Sequence, residues 1–255
     1  MNPILIDVHA HLEILKDLDA VIQRARDANV KKIIAQGVNP ETNRQVLDIA
    51  KKYDIVEPAL GIYPQDALRN EVEEGHPFQI VDFDFDKELE WIENQKPIAL
   101  GEIGLDYKTG NNPEQQKERF IKFIELGKKL DIPLIIHSRK AEKDVVDLLE
   151  KHEAKKVILH CFSGKLKLAK RAAELGYNFS IPTNVVRSQQ FQILVETVNI
   201  NQLLTETDAP YLSPFPNTPN EPAFIAESIK TIAKIKGVTV EDTANNIFMN
   251  YQRLF

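Results

Sequence analysis

Cysteine is almost missing from this chain: Cys161 is the one among 255 residues, which excludes an intramolecular disulfide and suits a reducing, cytoplasmic setting. Long apolar runs are missing too. None approaches the roughly 20 residues needed to span a bilayer, so no membrane association is expected. The N-terminus has no basic segment leading into an apolar stretch, and a secretory signal is not expected. No internal repeat, low-complexity tract or Gly/Ser linker divides the chain, so residues 1–255 are expected to form a single catalytic domain. No feature points to an obligate protein partner.

Positive charge is also in deficit, with 32 Lys and Arg against 38 Asp and Glu and a formal charge of -6. Taken alone, that balance argues against a polyanionic partner. Its distribution removes the objection: residues 71–93 hold nine acids and one base, a local net of -8, which leaves the remainder at +2. A basic surface near a site is therefore compatible with the composition.

What the chain does have is alternation. Hydrophobic residues make up 43%, enough for a sizeable core. Short β-like runs occur at 4–8, 32–38, 55–62, 97–105, 132–136, 157–159, 177–181 and 203–207, separated by helix-like segments. Phe120, Phe123, Ile124, Gly127 and Leu130 share one helical face, as do Phe191, Leu194, Val195 and Val198, with Ser188 as a candidate N-cap. Ile225, Ile229, Ile232 and Ala233 repeat the pattern before Gly237, and Thr239 with Asp242 form a capping pair. Eight strand–helix units are the count of an α/β fold of the (β/α)8 TIM-type barrel class. A doubly wound open sheet is the rival, and the length favours one barrel. The acidic stretch from Asp66 to about Asp86 is expected to form an elaborated loop on the C-terminal side of the strands.

The histidines fall where such a fold gathers its chemistry. Of six, His9, His11, His137 and His160 end the first, fifth and sixth strands. Glu102 in "IALGEIGLDY" and Asp208 in "LLTETDAPYL" end the fourth and eighth. In a barrel these ends meet at one mouth. Imidazole nitrogens and carboxylate oxygens are ligands for divalent ions such as Mg, Mn or Zn. A single histidine of this kind is more often structural. Four with two acids, all at strand ends, point to a metal centre, and they exceed what one ion needs. Two divalent metal ions sharing a carboxylate would use them all, with Glu102 as the natural bridge. His76 reads as a solvated loop residue and His152 as a surface one. Cys161 reads as a small buried side chain turned away from the mouth. Asp7 and Glu206 lie one step deeper than His9 and Asp208, where each would orient an imidazole; Glu206 could instead pair with a buried cation.

The ordered stretches "DVHAHL", "GEIGLDY", "PLIIHSR", "HCFSG", "ETDAPYL" and "NEP", with the ending "NNIFMNYQRLF", resemble the TatD family of metal-dependent deoxyribonucleases. The resemblance covers essentially the whole chain. It implies a barrel of the metal-dependent hydrolase superfamily that cleaves DNA phosphodiester bonds, often from the 3′ end. Carried over by position, it implies one ion held by His9, His11, Glu102 and Asp208. A second would be held by Glu102, His137 and His160, and Asp208 would serve the attacking water. One departure stands out: "GIYPQD" places Tyr63 where the family has histidine, and a tyrosine offers no positive charge near neutral pH. Tyr63, Arg139, Lys165, Asn184, Arg187 and Asn220 are candidate substrate contacts, each with the alternative of an ordinary solvated loop residue. Tyr63, Phe162 and Tyr211 could stack on bases, although Phe162 fits the core better. A second enzymatic reading keeps the metal centre and changes the bond, to an ester or amide such as that of a D-aminoacyl-tRNA. A non-catalytic binding protein is the third, and an open, carboxylate-bridged ligand set speaks against it.

Overall fold

Eight parallel strands wind in chain order about one axis. The computed structural model describes residues 3–255. β1 (Leu5–Ala10), β2 (Val30–Gln36), β3 (Val56–Leu60), β4 (Ala99–Asp106), β5 (Leu134–Arg139), β6 (Val157–His160), β7 (Asn178–Pro182) and β8 (Leu203–Glu206) pair successively. The ring closes just beyond β8. Ala10 and Ala209 form a parallel bridge, and the Asp208 amide donates to the His9 carbonyl at 2.8 Å. This is the (β/α)8 barrel, and the open-sheet rival fails because β1 and β8 are joined rather than left as edges.

The helices are α1 (Leu18–Asp27), α2 (Pro40–Lys52), α3 (Gln65–Glu73), α4 (Phe85–Gln95), α5 (Pro113–Leu130), α6 (Glu142–Lys151), α7 (Leu166–Glu174), α8 (Gln189–Thr197), α9 (Ile225–Lys236) and α10 (Val240–Leu254). The apolar faces read from spacing are the ones buried: Phe120, Phe123 and Ile124 on α5, Phe191, Leu194 and Val195 on α8. Gly237 ends α9 with φ of 67°, a left-handed stop suited to glycine, and the Thr239 hydroxyl accepts from the Asp242 amide at 3.0 Å to start α10.

Strand alternation divides the core. Leu5, Ile33, Leu60, Leu100, Ile136 and Leu159 face the helices. Ile6, Val8, Ile34, Ala59, Ala99, Ile135, Ile158 and Leu204 fill the axis, each fully buried Ile or Leu contributing on the order of 1.5–3 kcal/mol. Tyr251 and Leu254 of α10 join this axial cluster and close its lower end, and the Tyr251 hydroxyl donates to Glu57 at 2.9 Å. The barrel thus has an apolar floor beneath the mouth.

Two irregularities in register matter for that mouth. Two residues of β1 stand against one of β2 between the pairs Asp7↔Ile33 and Ala10↔Ala35, and β4 does the same against β5 between Leu100↔Leu134 and Ile103↔Ile136. Each bulge puts two consecutive residues on the axial side, Val8 with His9 and Gly101 with Glu102, and so re-aims a polar side chain inward.

The 66–86 stretch differs from the loop expected of it. It begins as helix α3, because Ala67, Leu68 and Glu71 share a face packed toward Val38, Tyr63 and Phe78, a period masked by the acidic composition. Among the described residues no helix is long and apolar enough to cross a membrane.

Candidate metal centre

The four histidines and two acids of the strand ends converge at one point. His9, His11, Glu102 and His160 are buried, and His137 and Asp208 are half-buried. His9 Nε2 lies 3.4 Å from His11 Nε2, 3.5 Å from Glu102 Oε2 and 3.6 Å from Asp208 Oδ1. His11 Nε2 lies 3.4 Å from the same Glu102 oxygen and 3.5 Å from the same Asp208 oxygen. These spacings are too long for good hydrogen bonds. They match the edges of a tetrahedron with metal–ligand bonds of roughly 2.0–2.2 Å, whose edges are about 1.6 times the bond length. The residues present therefore fit a divalent cation.

The second set is arranged differently. Glu102 Oε1 is 2.8 Å from His137 Nδ1, a direct hydrogen bond, and 3.9 Å from His160 Nε2. His160 also stacks on His9 with ring centroids 3.7 Å apart, and His9, Glu102 and His160 each bring a ligand atom within 4.8 Å of one another. Glu102 thus presents one oxygen to His9 and His11 and the other to His137 and His160.

Electrostatics make the cluster a seat for positive charge. Burial favours neutral Glu102, but the imidazoles of His11, His137 and His9 beside it prevail and hold its carboxyl well below the usual range. Asp208 is held low against burial in the same way, by His11, His160 and His9. Burial lowers His9, with His160 adding to the effect, and keeps that imidazole neutral as ligation requires. Burial also disfavours charged His160, yet the adjacent Glu206 carboxylate raises it to about 9.

Behind the ligand atoms lie residues that sequence reading placed unevenly. Glu206 Oε2 contacts His160 Nδ1 at 2.9 Å and also takes the Ser180 hydroxyl, so of its two expected roles it has the imidazole. Asp7 is a correction. Its carboxylate accepts the His9 and Thr207 amides and the Thr207 hydroxyl, so it pins backbone and no imidazole, because the β1 bulge separates its face from that of His9. Cys161 is a second correction. A left-handed backbone, φ 43°, turns its thiol back so that Sγ donates to Glu206 at 2.9 Å and lies within 4.8 Å of ligand atoms of His160 and Asp208. Burial and Glu206 push that thiol well up, which keeps it protonated and a poor nucleophile.

Two acids escaped sequence reading. Asp106 is fully buried and accepts from Tyr63 at 2.8 Å, His137 Nε2 at 2.9 Å and Arg139 at 2.5 Å. It sits four residues beyond Glu102 on the same strand, and that spacing was the available signal. Glu13 buries both carboxylate oxygens without a hydrogen-bond partner, 3.5 Å from His11 Nδ1. Its signal was the sequence H-x-H-x-E.

The candidate substrate contacts divide. Tyr63, Arg139 and Tyr211 line the cavity over the centre. The Tyr63 hydroxyl is committed to Asp106 and His137, and Arg139 is paired with Glu71 as well as Asp106. Lys165 lines a separate groove with Lys143, Lys167 and Arg171. Arg187 is exposed and donates to the Ser213 carbonyl at 2.6 Å. Asn184 buries an Oδ1 that has no partner among the described residues. Asn220 is corrected outright: it is 1% exposed, and its amide donates to the Thr207 and Tyr211 carbonyls and the Thr183 hydroxyl, so it clamps the loop and has no donor left for phosphate. His76 is corrected too, being half-buried against Tyr211 at the cavity wall instead of solvated. His152 is half-buried beside Glu125, at 3.0 Å, and Phe162 is core.

Comparison with known proteins agrees along the whole chain. The TatD related DNase family model matches residues 6–255. Human deoxyribonuclease TATDN3 is 35% identical over 98% of this chain and 94% of its own length. The Bacillus subtilis protein YabD, named an uncharacterized metal-dependent hydrolase, is 34% identical over 98% of each chain. The crystal structure of YJJV, a TATD homolog from Escherichia coli K12, gives a TM-score of 0.85 at 28% identity, covering 100% of this chain and 99% of that one. With a histidine and carboxylate set at the barrel mouth and a match running from β1 to the last residue, the chain belongs to the TatD related DNase family of metal-dependent hydrolases.

Proposed function

We propose that this hydrolase cleaves phosphodiester bonds of DNA, working at strand ends and from the 3′ side. One divalent ion would be held by His9, His11, Glu102 and Asp208, and a second by Glu102, His137 and His160. The observation that carries the reading is that His9 Nε2 and His11 Nε2 lie 3.4 Å apart and each lies 3.4–3.6 Å from an oxygen of Glu102 and of Asp208 at the mouth. The deoxyribonuclease name of the human relative supports the choice of bond.

Bound there, divalent ions supply Lewis acidity, which lowers the pKa of water and neutralises charge on phosphate. The chain's own side chains do the rest. Asp208, held ionised and half-exposed, accepts a proton from the water that attacks phosphorus in line. Glu102 stays ionised between the two imidazole pairs and fixes their separation. Arg139 opposes the phosphate charge from the cavity wall, though its pairing with Glu71 and Asp106 limits that contribution. The leaving sugar oxygen takes up a proton, and the products are a nucleotide and a shortened strand.

The test is a metal-replete assay of single-stranded DNA, duplex DNA, RNA and a D-aminoacyl-tRNA side by side. Mononucleotide release from 3′-labelled DNA, abolished by chelator and restored by Mn or Mg, is the expected result. Selective deacylation of the aminoacyl ester, or indifference to chelator, would overturn the proposal.

A further inference from the structure

The insertion between β3 and β4 builds part of the site. α3 and the residues after it bring Glu71, His76 and Phe78 to the cavity above the metal centre, a space of about 250 Å³. Its lining holds two contact networks, a polar one in which Arg139 donates to Glu71 and Tyr63 and, on the side of Tyr211, an aromatic one of His76, Phe78 and Tyr211, with Leu68 and Leu212 also facing the space.

Three rings on that side support one another. His76 and Tyr211 lie 5.4 Å apart between centroids at 33°, with the Tyr211 hydroxyl 3.3 Å from His76 Nδ1. His76 and Phe78 are stacked at 6.3 Å, and Phe78 meets His11 edge-on at 5.7 Å. The wall therefore begins at a residue of the metal centre and rises from it. Mutual contact fixes the rings before any ligand arrives, which reduces the ordering cost of binding.

We propose that the His76–Phe78–Tyr211 wall is a subsite for the nucleobase of the terminal nucleotide, whose phosphate lies over the metal centre. The proposal rests on the nuclease reading above. A nucleotide carries a flat π-face on one side and an anion on the other, the same division as the cavity. Aromatic side chains stack on any base, so the subsite would bind without strong sequence preference. A space of this size admits one such group and no duplex. The acidic insertion thereby acquires a role that its charge does not suggest.

The experiment uses the metal-loaded chain and two oligonucleotides, identical except that one ends in an abasic residue. The wild-type chain should favour the base-bearing end by about tenfold to a hundredfold in kcat/KM. His76→Ala combined with Tyr211→Leu, or Phe78→Leu, should bring that ratio toward one while bound metal per chain stays the same. Tyr211→Phe keeps the ring and should keep the preference. Wild-type indifference to the base, or full preference in the double variant, would overturn the subsite alone. Failure of the wild type to cleave either oligonucleotide would overturn the nuclease reading and the subsite with it.

Discussion

Glu206 Oε2 lies 2.9 Å from His160 Nδ1, and that contact decides which ring nitrogen faces the cavity. With Nδ1–H donated to the carboxylate, Nε2 is the nitrogen left to serve as a ligand atom. Glu206→Gln preserves size and removes the charge that holds this tautomer. Metal affinity, measured by competition with a chromophoric chelator, should fall about tenfold to a hundredfold. A binding curve identical to wild type would mean that Glu206 serves only Ser180 and the amide and thiol of Cys161, all of which donate to it.

Glu13 stands in a similar relation to His11 but with a different energetic sign. Its carboxylate is buried with both oxygens unpartnered, 3.5 Å from His11 Nδ1. A buried carboxyl with no hydrogen-bond donor and one imidazole at 3.5 Å disfavours the folded chain. Glu13→Gln should therefore weaken metal binding while leaving the Tm of the chelator-treated protein equal or higher. A drop in both quantities would assign Glu13 to packing instead.

The fold was legible in the sequence because each strand carries its own apolar run and turn boundaries, and all eight runs became strands. The convergence of His9, His11, Glu102, His137, His160 and Asp208 was legible because parallel topology brings strand ends together. Finer geometry was hidden. The faces of Asp7 and Cys161 were misread, since alternation fails at a bulge in β1 and at a left-handed residue after β6. His76 looked solvated because Glu73, Glu74 and Gly75 lead into it, whereas in space it lies against Tyr211, 135 positions away, as well as Phe78 just beyond it. Asn220 resembled a phosphate ligand because amide side chains serve both purposes, and only its three acceptors separate them.

Asn220 offers a test of that distinction. Its Nδ2 donates to the Thr207 carbonyl at 2.6 Å and the Tyr211 carbonyl at 2.7 Å, on either side of Asp208. Asn220→Ala leaves both buried acceptors without this donor, a loss of about 1–3 kcal/mol. The urea midpoint should fall accordingly. An unchanged midpoint with a raised KM for DNA would restore the phosphate-contact role.

Gly61, just past the end of β3, packs against the β4 backbone at Gly101 and Glu102. A Cβ there would lie 2.6 Å from the Gly101 carbonyl carbon and 2.8 Å from the Glu102 nitrogen, distances that real contacts do not reach. The neighbours are backbone atoms, so no side chain can swing aside. Gly61→Ala must push the two strands apart where Glu102 leaves the β4 bulge, at a cost of about 1–3 kcal/mol in overpacking. Because Glu102 faces both imidazole pairs, metal affinity should drop together with the urea midpoint. A variant that unfolds at the wild-type midpoint and holds metal equally well would show that the strands yield freely here, and would remove the close approach as the reason for glycine at this position.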